Sequence, residues 1–151
     1  MKIRRAKLAD ADKIHCLINR SAEKGDIIPR SLSEIYESLR DFTVAEEGGR
    51  MVGCCALHIS WENLAEVRSL VVIPERQGKG LGGTLLRTVL REAKRLTVPR
   101  VFALTNKPLF FRKYGFEPVN KERLPHKIWG DCLKCPKFPK CDEVALWKKL
   151  S

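Results

Sequence analysis

Four glycines within six residues, placed directly before a helical pattern, constrain this fold more than any other feature. They lie in the stretch RQGKGLGGTLL, at Gly78, Gly80, Gly82 and Gly83. From Leu81 onward the apolar residues recur at spacings of three and four, which indicates an amphipathic helix. The β-branched stretch LVVIP just before the loop indicates a strand. The sequence therefore predicts a unit of strand, glycine loop and helix within an α/β fold.

The glycine loop predicts a site for an anion. The first turn of a helix has backbone N–H groups without partners inside the helix, and glycines let an anion approach them. A P-loop is excluded, because Gly83 and Thr84 stand where its Lys and Ser or Thr are needed. Gly78, Gly80 and Gly83 have the spacing of a dinucleotide fingerprint, but the loop follows antiparallel strands, so this signal is weak.

The rest of the chain predicts further strands and helices in mixed order. A first strand in KIRRA precedes a helix that Asp10 caps and Gly25 ends. Ser31 and Glu34 have the spacing of a capping box at the start of a second helix. The remaining elements are a hairpin turning at Gly48 and Gly49, strands in LAEVRSLVVIP, RVFAL, FEPV and EVALWKKL, and a short helix in PLFFRKYG.

Length and charge narrow the class of protein. The 151 residues suit one domain, so we expect a single domain over 1–151 with a cysteine-containing insertion at 124–142. No apolar run approaches the roughly 20 residues that span a bilayer, and we expect a cytoplasmic protein. The net charge of +11 indicates an anionic partner. Because the basic residues are scattered and aromatics make up only 7%, a nucleic-acid surface is not expected.

The glycine loop resembles a family signature. QGKGLG, from Gln77 to Gly82, is similar to the Gln/Arg-x-x-Gly-x-Gly/Ala motif of the GNAT acetyltransferases. AEVRSLVVIPE resembles the fourth strand of that family and LFFRKYGFEPV its late helix and strand, so the likeness covers residues 3–119. PRSLSEIYESLRDF and VFALTNKPLFFRKYGF are similar to short single-domain N-acetylglutamate synthases of bacterial arginine biosynthesis. The resemblance implies an α/β GNAT fold with a mostly antiparallel sheet, flanking helices and strands splayed at the acetyl-CoA site.

The resemblance also implies that acetyl-CoA is the acetyl donor. In the family the loop grips the pyrophosphate of the donor, and the fourth strand pairs with its pantetheine arm. The cofactor-binding residues implied in this way are Leu70, Val71, Val72, Gln77, Gly78, Lys79, Gly80, Leu81, Gly82, Gly83, Thr84 and Asn106.

Acetyl transfer to an amine needs a base, a donor to the developing oxyanion and a proton for the leaving thiolate. Glu66 resembles the base carboxylate of the family, and its alternative is an ordinary strand glutamate. Backbone N–H groups within 70–72 are the implied oxyanion donors. Tyr114 resembles the tyrosine that donates to the sulfur of coenzyme A, and its alternative is an aromatic packed under the cofactor.

The closer likeness implies L-glutamate as the acceptor. Its two carboxylates suit arginine, which binds them through two parallel hydrogen bonds. Arg30, at the start of the second helix, Arg68, on the strand face of Glu66, and Thr105 are the predicted acceptor contacts. For the arginines the alternative is an ordinary solvated side chain. Another amine acceptor, a non-catalytic nucleic-acid-binding module and a homodimer remain open.

The three histidines and the adjacent cysteines at 54 and 55 suggest no further chemistry. His15, His58 and His126 are scattered, and none forms an evident triad with a nucleophile. Cys54 and Cys55 lie in an apolar strand and are predicted to belong to the core. A covalent acetyl-cysteine intermediate is therefore not expected.

Three cysteines near the C-terminus depart from the family pattern. Cys132, Cys135 and Cys141 have part of the spacing of a zinc ribbon, with His126 or Asp142 as the fourth ligand. A metal-free loop of reduced thiols is favoured over zinc. A third reading is a redox-sensitive segment, because neighbouring lysines lower the pKa of a thiol.

Overall fold

The computed structural model describes residues 1–125, 128 and 143–150. Within them one sheet contains the strands β1 Lys2–Arg5, β2 Phe42–Glu47, β3 Arg50–Trp61, β4 Leu64–Val72, β5 Arg100–Thr105, β6 Glu117–Val119 and β7 Val144–Lys149. The helices are α1 Ala11–Glu23, α2 Leu32–Glu37, α3 Leu81–Arg95 and α4 Pro108–Arg112. The predicted order of strands and helices is confirmed.

The sheet has the order β1-β2-β3-β4-β5-β7-β6 and is antiparallel except at its centre. There, β4 and β5 run parallel, and their register joins only Ala65 with Val101 and Glu66 with Phe102. In the described sheet the two strands have no further pairing, so the edge of β4 after Glu66 faces a gap. This confirms the predicted splayed strands.

Helices cover both faces of the sheet. On one face Leu85, Leu86 and Val89 of α3 pack into a buried cluster that includes Leu57 of β3. On the other face α1 and α2 pack over a second buried cluster, which includes Ala56. Successive strand residues point to opposite faces. His58 therefore lies on the α1/α2 face, and so does Arg68, which is the register partner of Ala56.

The capping box predicted for α2 is confirmed. The Ser31 hydroxyl accepts the N–H of Glu34 at 3.1 Å, and the Glu34 carboxylate accepts the N–H of Ser31 at 3.1 Å. Two helix donors are thus satisfied reciprocally. The hairpin turn is also confirmed, since Gly48 and Gly49 connect β2 to β3 with φ of 57° and 79°.

The prediction that Asp10 caps α1 is wrong. Asp10 directly precedes the helix, but its side chain makes no capping bond to it. The carboxylate instead accepts the N–H of Lys7 at 2.7 Å and both guanidinium nitrogens of Arg4 at 2.7 and 3.0 Å. The reason is a 3-10 turn at Leu8–Asp10, which turns the carboxylate back toward β1.

Cys54 and Cys55 are buried in β3, as predicted. Burial raises the pKa of the Cys54 thiol to about 12 and that of Cys55 well above its usual range. Because the thiolate is the nucleophilic form, neither side chain is available for covalent acetyl transfer at neutral pH.

The predicted insertion at 124–142 is described only at its start. Leu124 and Ile128 pack in a third buried cluster with Leu64 and Phe102. Cys132, Cys135 and Cys141, together with His126 and Asp142, lie outside the described residues. Among those that are described, no group of three His, Cys, Asp or Glu side chains could hold a metal. No helix in the described ranges is long and apolar enough to cross a bilayer.

Candidate functional site

The glycine loop connects the end of β4 to the start of α3. Gly78 and Gly80 have φ of 75° and 87°, which residues with a side chain rarely adopt. The Gln77 side-chain amide donates to the carbonyl of Val72 at 3.0 Å. This bond ties the loop to β4, so Gln77 positions the loop with its side chain.

The loop leaves a row of backbone donors available. Among the hydrogen bonds of the described chain, none uses the N–H of residues 78–83 as its donor. These groups stand at the N-terminus of a 15-residue helix, whose dipole favours an anion. Thr84 differs, because its N–H and its hydroxyl both donate to the carbonyl of Gly80 at 3.1 Å. The loop therefore fits a pyrophosphate through its main chain.

Gly82 and Gly83 are required for a different reason, which is the space beside them. A Cβ at Gly83 would overlap the Tyr114 hydroxyl and stand 2.8 Å from its Cζ, and one at Gly82 would lie 3.4 Å from the Phe110 ring. Tyr114 thus packs on the first turn of α3, with the Arg87 guanidinium 5.7 Å from its ring centre. A close approach thus explains both glycines. The groups that approach them are the aromatic side chains of Phe110 and Tyr114, and not a ligand. The predicted role of Tyr114 as a proton donor stays a prediction.

The contact between Gly83 and Tyr114 predicts an asymmetry between neighbouring glycines. Gly83→Ala is expected to lower the free energy of unfolding by about 1–3 kcal/mol, because the Tyr114 ring must move. Gly82→Ala is the matched control, since its methyl meets only a 3.4 Å contact. Urea denaturation of both variants measures the difference. In a Tyr114→Ala background the added methyl at position 83 should matter much less. Equal losses in both single variants would contradict the packing.

A cleft of about 590 Å³ opens on the α1/α2 face of the sheet. Arg30 and Arg68, both predicted to bind the acceptor, line it together with His58 and Ser69. Arg30 forms an ion pair with Glu34 at 3.5 Å. The structure thus brings the two predicted arginines into one cavity, Arg30 from the segment just before α2 and Arg68 from β4.

Glu66 lies beside Arg68 on the same strand. The Glu66 Oε1 and the Arg68 Nε are 3.3 Å apart, and the two side chains are 12% and 18% exposed. Arg68 belongs to the lining of the cleft, whereas Glu66 does not. Glu66 is therefore held at the margin of the cleft by an arginine that enters it, and its role as the base stays a prediction.

A bulge interrupts β4 next to these side chains. Cys54 pairs with Val71 and Ala56 with Arg68, so two residues of β4 lie opposite Cys55. One of them, Ser69, has a φ of 55°. The bulge lies in the half of β4 that has no pairing with β5. The same half contains Leu70, Val71 and Val72, which are predicted to contact acetyl-CoA.

The loop after β5 contacts the loop after α1. The Asn106 amide donates to the carbonyl of Gly25 at 3.1 Å, and Lys107 pairs with Asp26 at 3.5 Å. Thr105 accepts the N–H of Lys107 at 2.9 Å, so its hydroxyl serves its own loop and does not line the acceptor cleft. The buried Oδ1 of Asn106 bonds no donor in the described chain and could accept one from a ligand.

Sequence reasoning missed His58 and Asp41. The His58 Nδ1 lies 2.7 Å from the Asp41 Oδ2, and both residues line the cleft. His58 is also the register partner of Glu66 across β3 and β4. The hairpin register was the available signal, because partners in an antiparallel pair share a face of the sheet.

Comparison with known proteins assigns the chain to the family whose motif the glycine loop resembles. Residues 38–118 match the family model described as Acetyltransferase (GNAT) domain. The chain is 40% identical over 148 residues to an uncharacterized N-acetyltransferase of Chlorobaculum tepidum, covering 98% of this chain and 96% of the relative. It is 36% identical over 135 residues to an amino-acid acetyltransferase of Mycobacterium tuberculosis, covering 87% and 77%.

Two solved structures superpose on the whole chain. N-acetylglutamate synthase from Neisseria gonorrhoeae, complexed with coenzyme A and N-acetyl-glutamate, has a TM-score of 0.91 and 28% identity over 99% of this chain. This chain spans only 35% of that synthase. Rv2747 from Mycobacterium tuberculosis, in complex with CoA, has a TM-score of 0.85 and 26% identity over 100% of both chains.

Proposed function

Since this chain belongs to the GNAT acetyltransferase family, with acetyl-CoA as its donor, we propose that it acetylates the α-amine of an amino acid, L-glutamate. The observation that carries this proposal is the pair of arginines in one cleft. The similarity to an amino-acid acetyltransferase and to a synthase crystallised with N-acetyl-glutamate supports it.

The two arginines suit a substrate with two carboxylates. Arg30 and Arg68 both line the cleft, and each is held by an ion pair, with Glu34 and Glu66 respectively. A guanidinium held in this way loses little side-chain freedom when it binds a carboxylate through two hydrogen bonds. One arginine would bind the α-carboxylate and the other the γ-carboxylate of glutamate.

The donor would bind mainly to the main chain. The N–H groups of residues 78–83 would hold the pyrophosphate, with Gln77 fixing the loop. The open edge of β4 at Leu70, Val71 and Val72 would pair with the pantetheine arm. The Oδ1 of Asn106 would accept a hydrogen bond from an amide of that arm.

We assign the chemical step to residues of β4. Glu66 would take a proton from the α-ammonium, directly or through water, so that the amine nitrogen can attack the thioester carbonyl. A backbone N–H within 70–72 would stabilise the oxyanion. The carbon–sulfur bond then breaks, and the thiolate takes up the second amine proton. Tyr114 is the donor that the resemblance implies, although its hydroxyl contacts α3 at Gly83.

Three carboxylates in the cleft are the observation that supports a second candidate acceptor, a cationic amine. Glu34, Glu37 and Asp41 also line the cavity. Two of them are engaged, Glu34 with Arg30 and Asp41 with His58. Because two of the three carboxylates are already paired, the cleft favours an anionic acceptor. A polyamine or a protein N-terminus is the competing candidate.

An acceptor screen tests the proposal. Purified protein with acetyl-CoA is given single amino acids, a polyamine or a peptide with a free N-terminus, and the acetylated products are measured by mass spectrometry. L-glutamate is expected to be the best acceptor. Arg68→Gln is expected to raise KM for glutamate at least about tenfold while KM for acetyl-CoA stays near its original value. Acetylation of another amine without acetylation of glutamate would overturn the proposed acceptor.

A further inference from the structure

We propose that His58, oriented by Asp41, receives the proton removed from the substrate amine and passes it to solvent. The proposal rests on the proposed acetyl transfer and adds a catalytic residue on a second strand, together with a positioning residue in the turn after α2. It starts from the contact between His58 and Asp41 in the wall of the acceptor cleft.

Asp41 determines which ring nitrogen of His58 carries a proton. A carboxylate accepts hydrogen bonds, so the Nδ1 at 2.7 Å from the Asp41 Oδ2 is the donor. The Nε2 of the neutral ring is then a proton acceptor, and it bonds none of the residues that the structure describes. The ring lines the cleft, so this nitrogen can exchange protons with a bound substrate or with water.

His58 also lies next to the proposed base. It is the register partner of Glu66, and opposed side chains on one face of an antiparallel pair have Cβ atoms about 4.5–5.5 Å apart. A carboxyl group is a stronger acid than an imidazolium, so a captured proton passes from a carboxyl to a nearby imidazole. An imidazole takes up and releases protons near neutral pH, so it can pass the proton on to water.

Charged side chains of both signs surround His58. The cleft is lined by three arginines and three carboxylates, namely Arg30, Arg40, Arg68, Glu34, Glu37 and Asp41. Arg30 is paired with Glu34, and Arg68 with Glu66, which lies opposite the ring on β4. The charge in direct contact with the ring is therefore that of Asp41.

The protons balance without any further reactant. The α-ammonium loses one proton to Glu66, and this proton moves to the Nε2 of His58 and then to water. The amine nitrogen forms a bond to the thioester carbon, and the carbon–sulfur bond breaks. The second amine proton goes to the leaving thiolate. One proton is released for each acetyl group transferred, and nothing is oxidised or reduced.

Variants at both positions test the relay through the pH dependence of kcat. His58→Gln is expected to lower kcat about 10- to 100-fold near neutral pH, with KM for the acceptor almost unchanged. Asp41→Asn should keep part of the activity and change the acidic limb of kcat/KM, because the side chain at position 41 contacts the ring directly. In a His58→Ala variant, added imidazole should restore part of the rate.

The matched control is His15→Gln, on α1 and outside the lining of the cleft, which should keep the original profile. An unchanged rate and an unchanged acidic limb in folded His58→Gln would overturn the relay. If the original protein acetylates another amine in place of glutamate, only the proposed acceptor fails, and the same variants test the relay with that amine. A protein that acetylates no amine would overturn both.

Discussion

Replacement of Glu66 by Gln is expected to lower kcat for acetyl transfer by roughly 100- to 1000-fold near neutral pH. The amide keeps the shape of the side chain and its contact with Arg68, but it cannot take up a proton. KM for acetyl-CoA should stay close to its original value, because the proposed donor contacts are main-chain groups of residues 70–72 and 78–83, which this substitution leaves in place. Steady-state kinetics with a saturating donor measures the loss.

Two further measurements separate a base from an ordinary strand glutamate. The deficit of Glu66→Gln should shrink as the pH approaches the pKa of the substrate amine, because the amine then arrives already neutral. Glu62→Gln is the matched control, since Glu62 is exposed in the turn between β3 and β4 of the same hairpin. Equal kcat for Glu66→Gln and the original protein at all pH values would show that Glu66 only holds Arg68.

Replacement of Asp10 by Ala is expected to lower the free energy of unfolding by about 3 kcal/mol. Asp10 is only 4% exposed, and its carboxylate binds Arg4 through two hydrogen bonds at 2.7 and 3.0 Å. Its removal leaves the partly buried guanidinium with the Glu46 carboxylate at 3.3 Å and the Arg5 carbonyl at 3.1 Å, and leaves the N–H of Lys7 without its acceptor. Urea denaturation at neutral pH measures the loss.

The same pair predicts how stability changes with acid. The hydrogen bonds from Arg4 lower the pKa of Asp10 below its ordinary value. A carboxyl with a lowered folded pKa stabilises the fold above its unfolded pKa of about 3.9 and loses that contribution as the pH falls toward the folded value. The original protein should therefore lose stability below about pH 4 in a step that Asp10→Asn lacks.

An exposed ion pair provides the control for this prediction. Arg50 and Glu75 lie 2.9 Å apart with side chains 62% and 57% exposed. Glu75→Gln should leave stability almost unchanged, because water and salt screen an exposed pair. A loss in Glu75→Gln as large as that in Asp10→Ala would contradict the role assigned to burial.

Local chemistry explains which parts of the fold were predictable. The capping box of Ser31 and Glu34 and the turn at Gly48 and Gly49 depend on residues within a few positions of one another. The same holds for the strand, glycine loop and helix, since the N–H donors of a helix start are determined by its backbone. These signals predicted the strands, the helices and the donor site.

The parts that were missed depend on contacts between distant residues. Asp10 binds back to Arg4 on β1 instead of capping its own helix. The contact of Tyr114 with Gly83 joins the turn after α4 to α3, and that of His58 with Asp41 joins β3 to the turn after α2. Helical or strand periodicity carries no information about such pairs, because each depends on how two elements pack together.

Because β4 pairs with β5 over only two residues, main-chain groups of β4 are left open to one substrate. The two substrates are therefore recognised by different kinds of groups. In the proposed complex the donor would bind main-chain groups of an open strand edge and a helix start, which almost any sequence compatible with the fold supplies. The acceptor would bind side chains such as Arg30 and Arg68, which single substitutions can replace. In evolution, acceptor choice can therefore diverge rapidly on a scaffold whose requirement for the donor stays constant.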